Sequence, residues 1–276
     1  MATPYDLTTL AAFKSYAAIT NTDDDAILSQ LITNISRSVL SIVNRGTILP
    51  SPYVEIRDGW GERSIYLGNY PVYSINYLWI NGLVVPQANL YNPTSSFNQY
   101  GYFLDLVDPT PPGQPQLLNL LNYRYSRGHQ NIQISYTAGY QQLAETQVVP
   151  SSAPYVVTAN QYYGMWGSDQ GVTFNGTTLS VNTDYTVGSI VGGNPGVYTF
   201  FPIHAGQTVS LNYGYVPSEL TQACMDWVQD RLAYQQHIGQ SSKSLGGQET
   251  VSYLVKNVPE FVMQVIYPYR TVVPLQ

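Results

Sequence analysis

Positive charge is what this chain has least of. Not one lysine or arginine stands between Gly128 and Asp230, and the 276 residues hold 11 Lys and Arg against 17 Asp and Glu, a formal charge of −6. That balance offers no basic footprint for gripping a phosphate backbone, so a DNA-gripping protein is not expected. Charged residues of both signs make up only 10% of the chain, where about 25% is usual for a soluble domain. Cysteine is nearly absent: the lone Cys224 cannot close an internal disulfide, and His129, His204 and His237 have no paired cysteines with which to form a zinc site. No apolar run approaches the roughly 18 residues needed to cross a bilayer. Met1 to Asp6 has neither the basic start nor the apolar stretch of a signal peptide, so the expectation is a soluble protein made in the cytoplasm. What is abundant is tyrosine, with 25 residues, beside 22 glycines and 18 prolines. That composition predicts many short strands, tight turns and a surface made amphipathic by phenols, suited to large interfaces.

Periodicity divides the chain. Asp6 is placed to cap a short helix carrying Leu7, Leu10, Ala11 and Phe13. Leu28, Leu31, Ile32, Ile35, Val39 and Ile42 recur at steps of three and four, which predicts a helix over 23–45 with Asp24 and Asp25 in its first turn, Arg45 in its last and Gly46 beyond it. From Pro50 the period becomes two. Strands are predicted over 53–57, 63–67, 72–80, 100–106 and 131–136, with Asn81-Gly82 as a type I′ hairpin turn and the proline-rich stretch 109–115 as an exposed loop. Short strands continue through 155–213, and Asn175-Gly176 supplies a second hairpin turn. The segments 132–140 and 208–215 echo one another, so 141–213 reads as a β-sandwich inserted at a strand end. A helix over 218–238 follows, with Leu220, Cys224, Trp227, Val228 and Leu232 on its apolar stripe. Beyond it come a polar Ser/Gly stretch, a strand-like 251–255, a short helix to Ile266 and an extended tail.

Catalytic and ligand signals are weak. Asp23-Asp24-Asp25 lacks the glycine and distal glutamate of a calcium loop and reads as helix-dipole complementation. The glycines of 188–196 precede no Gly-Lys-Ser/Thr and no helix, so they form a loop and not a phosphate cradle. Asp105 with Asp108, and Glu55 with Asp58 and Glu62, have the residue types of a glycosidase pair but the spacing of turn caps. Tyr162, Tyr163 and Trp166 are the candidates for a sugar-stacking platform, against packing at a sandwich edge.

The order of elements resembles a known family. Leu7 to Tyr16, then Asp23-Asp24-Asp25-Ala26-Ile27-Leu28 opening a long helix, look like the start of tailed-bacteriophage head-tail connector (adaptor) proteins. Tyr66-Leu67, Tyr70-Pro71-Val72, Tyr136 to Tyr140, Val216 to Leu220, the stretch 241–251 and Tyr267-Pro268-Tyr269-Arg270 are similar to further segments of that family. The resemblance implies a structural virion protein, not an enzyme, without cofactor or metal. Its implied place is the neck, after synthesis in the host cytoplasm, as a homo-oligomeric, usually twelvefold ring. The ring would bind the portal protein above and a tail or stopper protein below, and let DNA pass.

The resulting expectation is an α+β fold: a connector core in two parts, 1–140 and 214–276, with antiparallel hairpins, and the inserted β-sandwich 141–213. Tyr267, Tyr269, Arg270, Val272 and Val273 are expected at a portal or subunit interface, because the proline-bounded tail suits docking on a partner. Gln229, Gln235 and Gln236, on the polar face of the helix from 218, are expected to face the channel. The alternative is a phage or bacterial binding protein whose β domain recognises a glycan or cell-wall polymer.

Overall fold

The computed structural model describes residues 3–88, 100–105, 108, 110–192, 194–235, 242–245, 249–252 and 258–271. Two helices, α1 (Leu10–Tyr16) and α2 (Asp25–Ile42), precede a run of strands: β1 (Ser51–Gly59), β2 (Ser64–Tyr66), β3 (Val72–Ile80), β4 (Leu83–Val85), β5 (Gly101–Leu104), β6 (Leu117–Leu121) and β7 (Gly128–Ala138). Then come β8 (Gln141–Val148), β9 (Val156–Thr158), β10 (Gly164–Phe174), β11 (Thr177–Thr178), β12 (Tyr185–Val187), β13 (Val197–Phe200) and β14 (Thr208–Pro217). The chain closes with α3 (Ser218–Gln235), the hairpin β15 (Ser242–Leu245) and β16 (Glu249–Ser252), and α4 (Glu260–Ile266). The fold is α+β. Among the described residues no helix is long and apolar enough to cross a membrane.

Local chemistry explains most elements, and in two places it differs from expectation. Thr9, not Asp6, caps α1: its hydroxyl accepts from Ala12 N at 3.1 Å. Asp6 is instead buried, where its carboxylate accepts from Thr3 N, Thr3 Oγ1 and Thr33 Oγ1 and ties the amino terminus to α2. The α2 stripe packs as predicted, with Leu28, Ile32, Ile35 and Val39 buried. The helix ends at Asn44, before Gly46. Asn44 takes φ 56°, its N–H reaches Ser41 O at 3.2 Å, and Arg45 N reaches Leu40 O at 3.0 Å, which is a Schellman closure. Asn81-Gly82 (φ 52° and 77°) and Asn175-Gly176 (φ 48° and 79°) adopt the left-handed pairs that a type I′ turn needs.

Besides the β15-β16 hairpin, the strands form two pairs of sheets. In the first, β1-β7-β3-β4 packs on β2-β6-β5, and Ile65, Leu67, Leu78, Leu118, Leu120, Ile132 and Ile134 fill a core of their own. In the second are β11-β10-β14-β8 and β12-β13-β9. Their buried residues, including Val172, Tyr185, Tyr198, Val209, Leu211 and Tyr213, belong to one cluster with Phe13, Leu28, Ile32, Val39, Leu220, Cys224, Val228 and Val262 of the helices. The expected division at 141–213 is therefore not a division of the core. Nor does 213 end an element, because β14 runs on to Pro217 and straight into α3. The physical reason is α3 itself: its stripe is covered by α2 and α4 and by β10 and β14, so the helices need the second sheets to bury it.

Candidate functional site

The two sheet pairs, the end of α2 and the carboxyl-terminal segment converge on Arg45. Placed by the Asn44 closure, Arg45 is buried. Its Nε donates to Tyr269 O at 2.9 Å and its Nη1 to Tyr70 O, while the guanidinium lies 4.4 Å from the centroid of the Tyr70 ring and 5.7 Å from that of Tyr140. Nη2 is buried without a hydrogen-bond partner among the described residues. Tyr140 in turn stands 6.1 Å from Tyr215 and 5.9 Å from Tyr269, ring centre to ring centre. Burial pushes the phenols of Tyr140, Tyr215 and Tyr269 well above the usual tyrosine range, and at Tyr269 the Glu219 carboxylate adds to the effect. The echoing segments end here side by side. Tyr215 N donates to Tyr140 O at 3.0 Å, and the preceding Gly139 and Gly214 leave no room for a side chain: a Cβ on either would lie 2.5 Å from Leu49 or Pro50.

The carboxyl-terminal segment is fastened to this node. After α4 a single 3₁₀ turn, Tyr267–Tyr269, precedes a strap in which Thr271 N reaches Val43 O at 3.0 Å and Thr271 Oγ1 reaches Asn44 O at 2.9 Å. Tyr70 OH donates to Arg270 O at 2.9 Å, and Tyr269 OH to Glu219 at 3.1 Å. Tyr269, expected at a portal or subunit interface, is buried and bonded within its own chain. Tyr267 and Arg270 are exposed, and Val272 and Val273 lie outside the described residues. On α3 Gln229 is exposed; Gln235 ends the helix and Gln236 lies outside the described residues.

The first sheet leaves an apolar outer face. The pairing places Ile56, Gln133, Trp79 and Val84 in one row across β1, β7, β3 and β4, and Val54, Ser135 and Tyr77 in the next. Val54, Ile56, Trp79 and Val84 are exposed, as is Leu83 at the hairpin. Sequence reasoning missed this face, although the alternation Val54-Glu55-Ile56-Arg57 held the signal: the apolar residues there point outward, and Glu55 pairs with Arg57 and accepts from Gly68 N and Tyr136 OH on the other side.

The remaining candidates do not converge. Trp166 is buried, its Nε1 donating to Tyr198 OH at 3.0 Å, while Tyr163 stacks on Tyr215 and Tyr162 is exposed, so no three-ring platform forms. Asp105 accepts from Asn119 at 2.7 Å, and Asp108 from its neighbour Thr110. Asp58 accepts from Gln130 N and faces His129, and these contacts, the backbone donor first, hold its carboxyl below the usual range. Cys224 is a core residue as expected: burial pushes its thiol up to about 12, and Sγ lies 3.6 Å from Ser36 Oγ. Among the described residues no group of three His, Cys, Asp or Glu is arranged to hold a metal.

No curated protein matches this chain in sequence. Among solved structures it is similar, at 14% identity and a TM-score of 0.41, to a chain described as "Neck of empty GTA particle computed with C6 symmetry", with 100% of this chain and 95% of that one covered. The sequence profile of the family described as "Head completion protein" matches residues 6–192, about two thirds of the chain and including much of the segment expected to be an insertion. The chain belongs to the head completion protein family, in keeping with its resemblance to phage head-tail connectors.

Proposed function

We propose that the protein is a structural subunit of the phage neck. Copies associate into a closed ring below the portal protein, join the DNA-filled head to a tail or stopper protein, and let DNA pass without sequence-specific contact. The observation that carries this reading is the family match over residues 6–192. The outer face of the first sheet supports it, since Val54, Ile56, Trp79 and Val84 are a surface that one copy could bury against another part of the next, the head-to-tail contact from which rings close. The chain beyond Thr271, leaving a pinned strap beside exposed Tyr267 and Arg270, is proposed to dock on the portal, with Val272 and Val273 in the contact. The exposed face of α3 at Gln229, with Gln235 and Gln236, is proposed to border the DNA path.

Native mass measurement tests the reading, on the purified protein alone and mixed with portal rings. A closed ring that caps the portal is expected, and its mass reads the copy number, twelve on the connector resemblance. A monomer that leaves the portal uncapped would refute the proposal.

A further inference from the structure

The far tip of the first sheet pair gathers charge that the composition hides. Arg63, from the loop between β1 and β2, and Arg124 and Arg127, from the loop between β6 and β7, line one open cleft of about 630 Å³ with Gly61, Asn122 and Tyr123. All three arginines are exposed, and none is in an ion pair among the described residues. Two carboxylates stand in the adjoining backbone, each held by a main-chain donor and not by an arginine: Glu62 accepts from Trp60 N at 2.8 Å, and Asp58 from Gln130 N at 2.6 Å. Tyr123, in the lining of the cleft, is 44% exposed, and Trp60, in the same loop as Arg63, is 66% exposed.

The cleft is held in shape from beneath. Arg124 Nη1 donates to Gly61 O at 3.1 Å, and Arg127 Nε to Trp60 O at 3.3 Å, so each guanidinium is oriented by the opposite loop. Tyr125, fully buried, donates from its hydroxyl to Leu118 O at 3.0 Å and from its N–H to Glu62 O at 2.9 Å. Asn131 accepts from Gly59 N at 2.9 Å and donates to Ser126 O at 2.9 Å. At Gly59 a Cβ would lie 1.9 Å from Ser126 O, so only glycine permits the two loops to meet. Cationic groups positioned by packed, hydrogen-bonded loops lose little freedom on binding a ligand.

We propose that this tip binds the phosphodiester backbone of duplex DNA. Guanidinium forks match phosphate oxygens in pairs, and the rings of Trp60 and Tyr123 can lie against sugar and base edges. The rest of the chain is acidic enough to repel DNA, which leaves the tip as the place of contact and orients the duplex toward it. An acidic protein surface would meet the same charges but makes less use of the two exposed rings. The inference rests on the neck reading only for what brings DNA near; the contact itself belongs to this chain.

The test is fluorescence anisotropy of a labelled duplex of about 30 base pairs titrated with the full chain. Three phosphate contacts predict a slope of log affinity against log salt of about −2.7, or about 40-fold weaker binding at about 200 mM than at about 50 mM salt. Arg63→Gln, Arg124→Gln and Arg127→Gln should each reduce the slope by about 1. The triple variant should lose the salt-dependent binding while its circular dichroism and native mass stay unchanged. A triple variant that binds DNA as the parent does overturns the proposal. So does one that changes native mass where the parent shows no DNA binding, since the tip would then be a contact with an acidic surface of another copy. A chain that binds DNA through these arginines but forms no ring keeps this proposal and defeats the neck reading instead.

Discussion

The two pairs of sheets are built alike and used differently. Each has a four-stranded sheet with an inner strand, β7 or β14, that pairs antiparallel on both sides; a Gly-Tyr pair, just after β7 and near the end of β14, lies against the Arg45 node. In the first pair the sheets close on one another, their core holds no helix residue among the described residues, and Val54, Ile56, Trp79 and Val84 of the outer face are exposed. In the second, α3 packs on β10 and β14, and the core is continuous with all four helices. Similar strand sequences therefore do not decide which region is a separable unit. What decides it is whether an amphipathic helix has claimed the second face of the sheet.

The largest effect expected from this difference is in excision. Replacing 51–138 by a short Gly/Ser splice should leave a folded remnant, because the chain enters and leaves that region side by side: Tyr140 N donates to Ile48 O at 3.0 Å. Replacing 141–213 should unfold the helices as well, read as loss of helical circular dichroism and of a cooperative melt. The opposite outcome would restore the inserted-domain reading.

Alkali should come next. Burial raises the phenols of Tyr140, Tyr185, Tyr198, Tyr213, Tyr215 and Tyr269 far above 10.0, as it does Tyr125 and Tyr136 in the first pair. A group whose folded pKa lies above its unfolded one gives stability that is complete below pH 10 and is lost as pH rises beyond it, because only the unfolded chain releases the proton. Each such tyrosine removes up to about 1.4 kcal/mol per pH unit above 10. Spectroscopic titration should find the exposed phenols ionising first in the folded chain, and the phenolates of these eight buried tyrosines appearing only together with unfolding. Ionisation of the buried eight in a chain that stays folded would contradict it.

Core truncations sharpen the contrast at a smaller scale. Ile134→Ala and Leu211→Ala should each cost about 2–5 kcal/mol in a denaturant titration. Hydrogen exchange should differ: Ile134→Ala loosens amides of 51–138 alone, and Leu211→Ala also those of α2 and α3. If both mutations loosen the same amides, the two cores are one cooperative unit. The smallest effect is at Asn44, where Asn44→Ala should cost about 1 kcal/mol through its positive φ and Asn44→Gly much less, measured as shifts of the denaturation midpoint.

What the sequence made legible was local. The α2 stripe, the two Asn-Gly turns and the stripe of α3 depend on neighbours within a few residues, and each formed as read. The strand β8 went unread because Gln141-Gln142-Leu143-Ala144-Glu145-Thr146-Gln147-Val148 is a largely polar edge strand, paired on one side only. Within the polar Ser/Gly stretch after α3, for which no strand was predicted, β15 pairs with β16, which overlaps the start of the strand-like 251–255. Arg45 was read as a dipole partner at a helix end because its real partners, the carbonyls of Tyr70 and Tyr269, lie 25 and 224 residues away. The arginine tip escaped for the same reason. A count of cations along a chain says nothing about loops 60 residues apart that fold together.

The strap at Thr271 has a mechanical meaning. Tension entering the chain from beyond that residue reaches two bonds to the end of α2, at Val43 O and Asn44 O, and next to them Tyr70 OH on Arg270 O and Arg45 on Tyr269 O. Arg45 also holds Tyr70, at the head of the first pair of sheets, and lies over Tyr140, at the start of the second. A pull on the tail is therefore shared among several bonds before any one of them carries it alone, and it is delivered to both halves of the subunit at once.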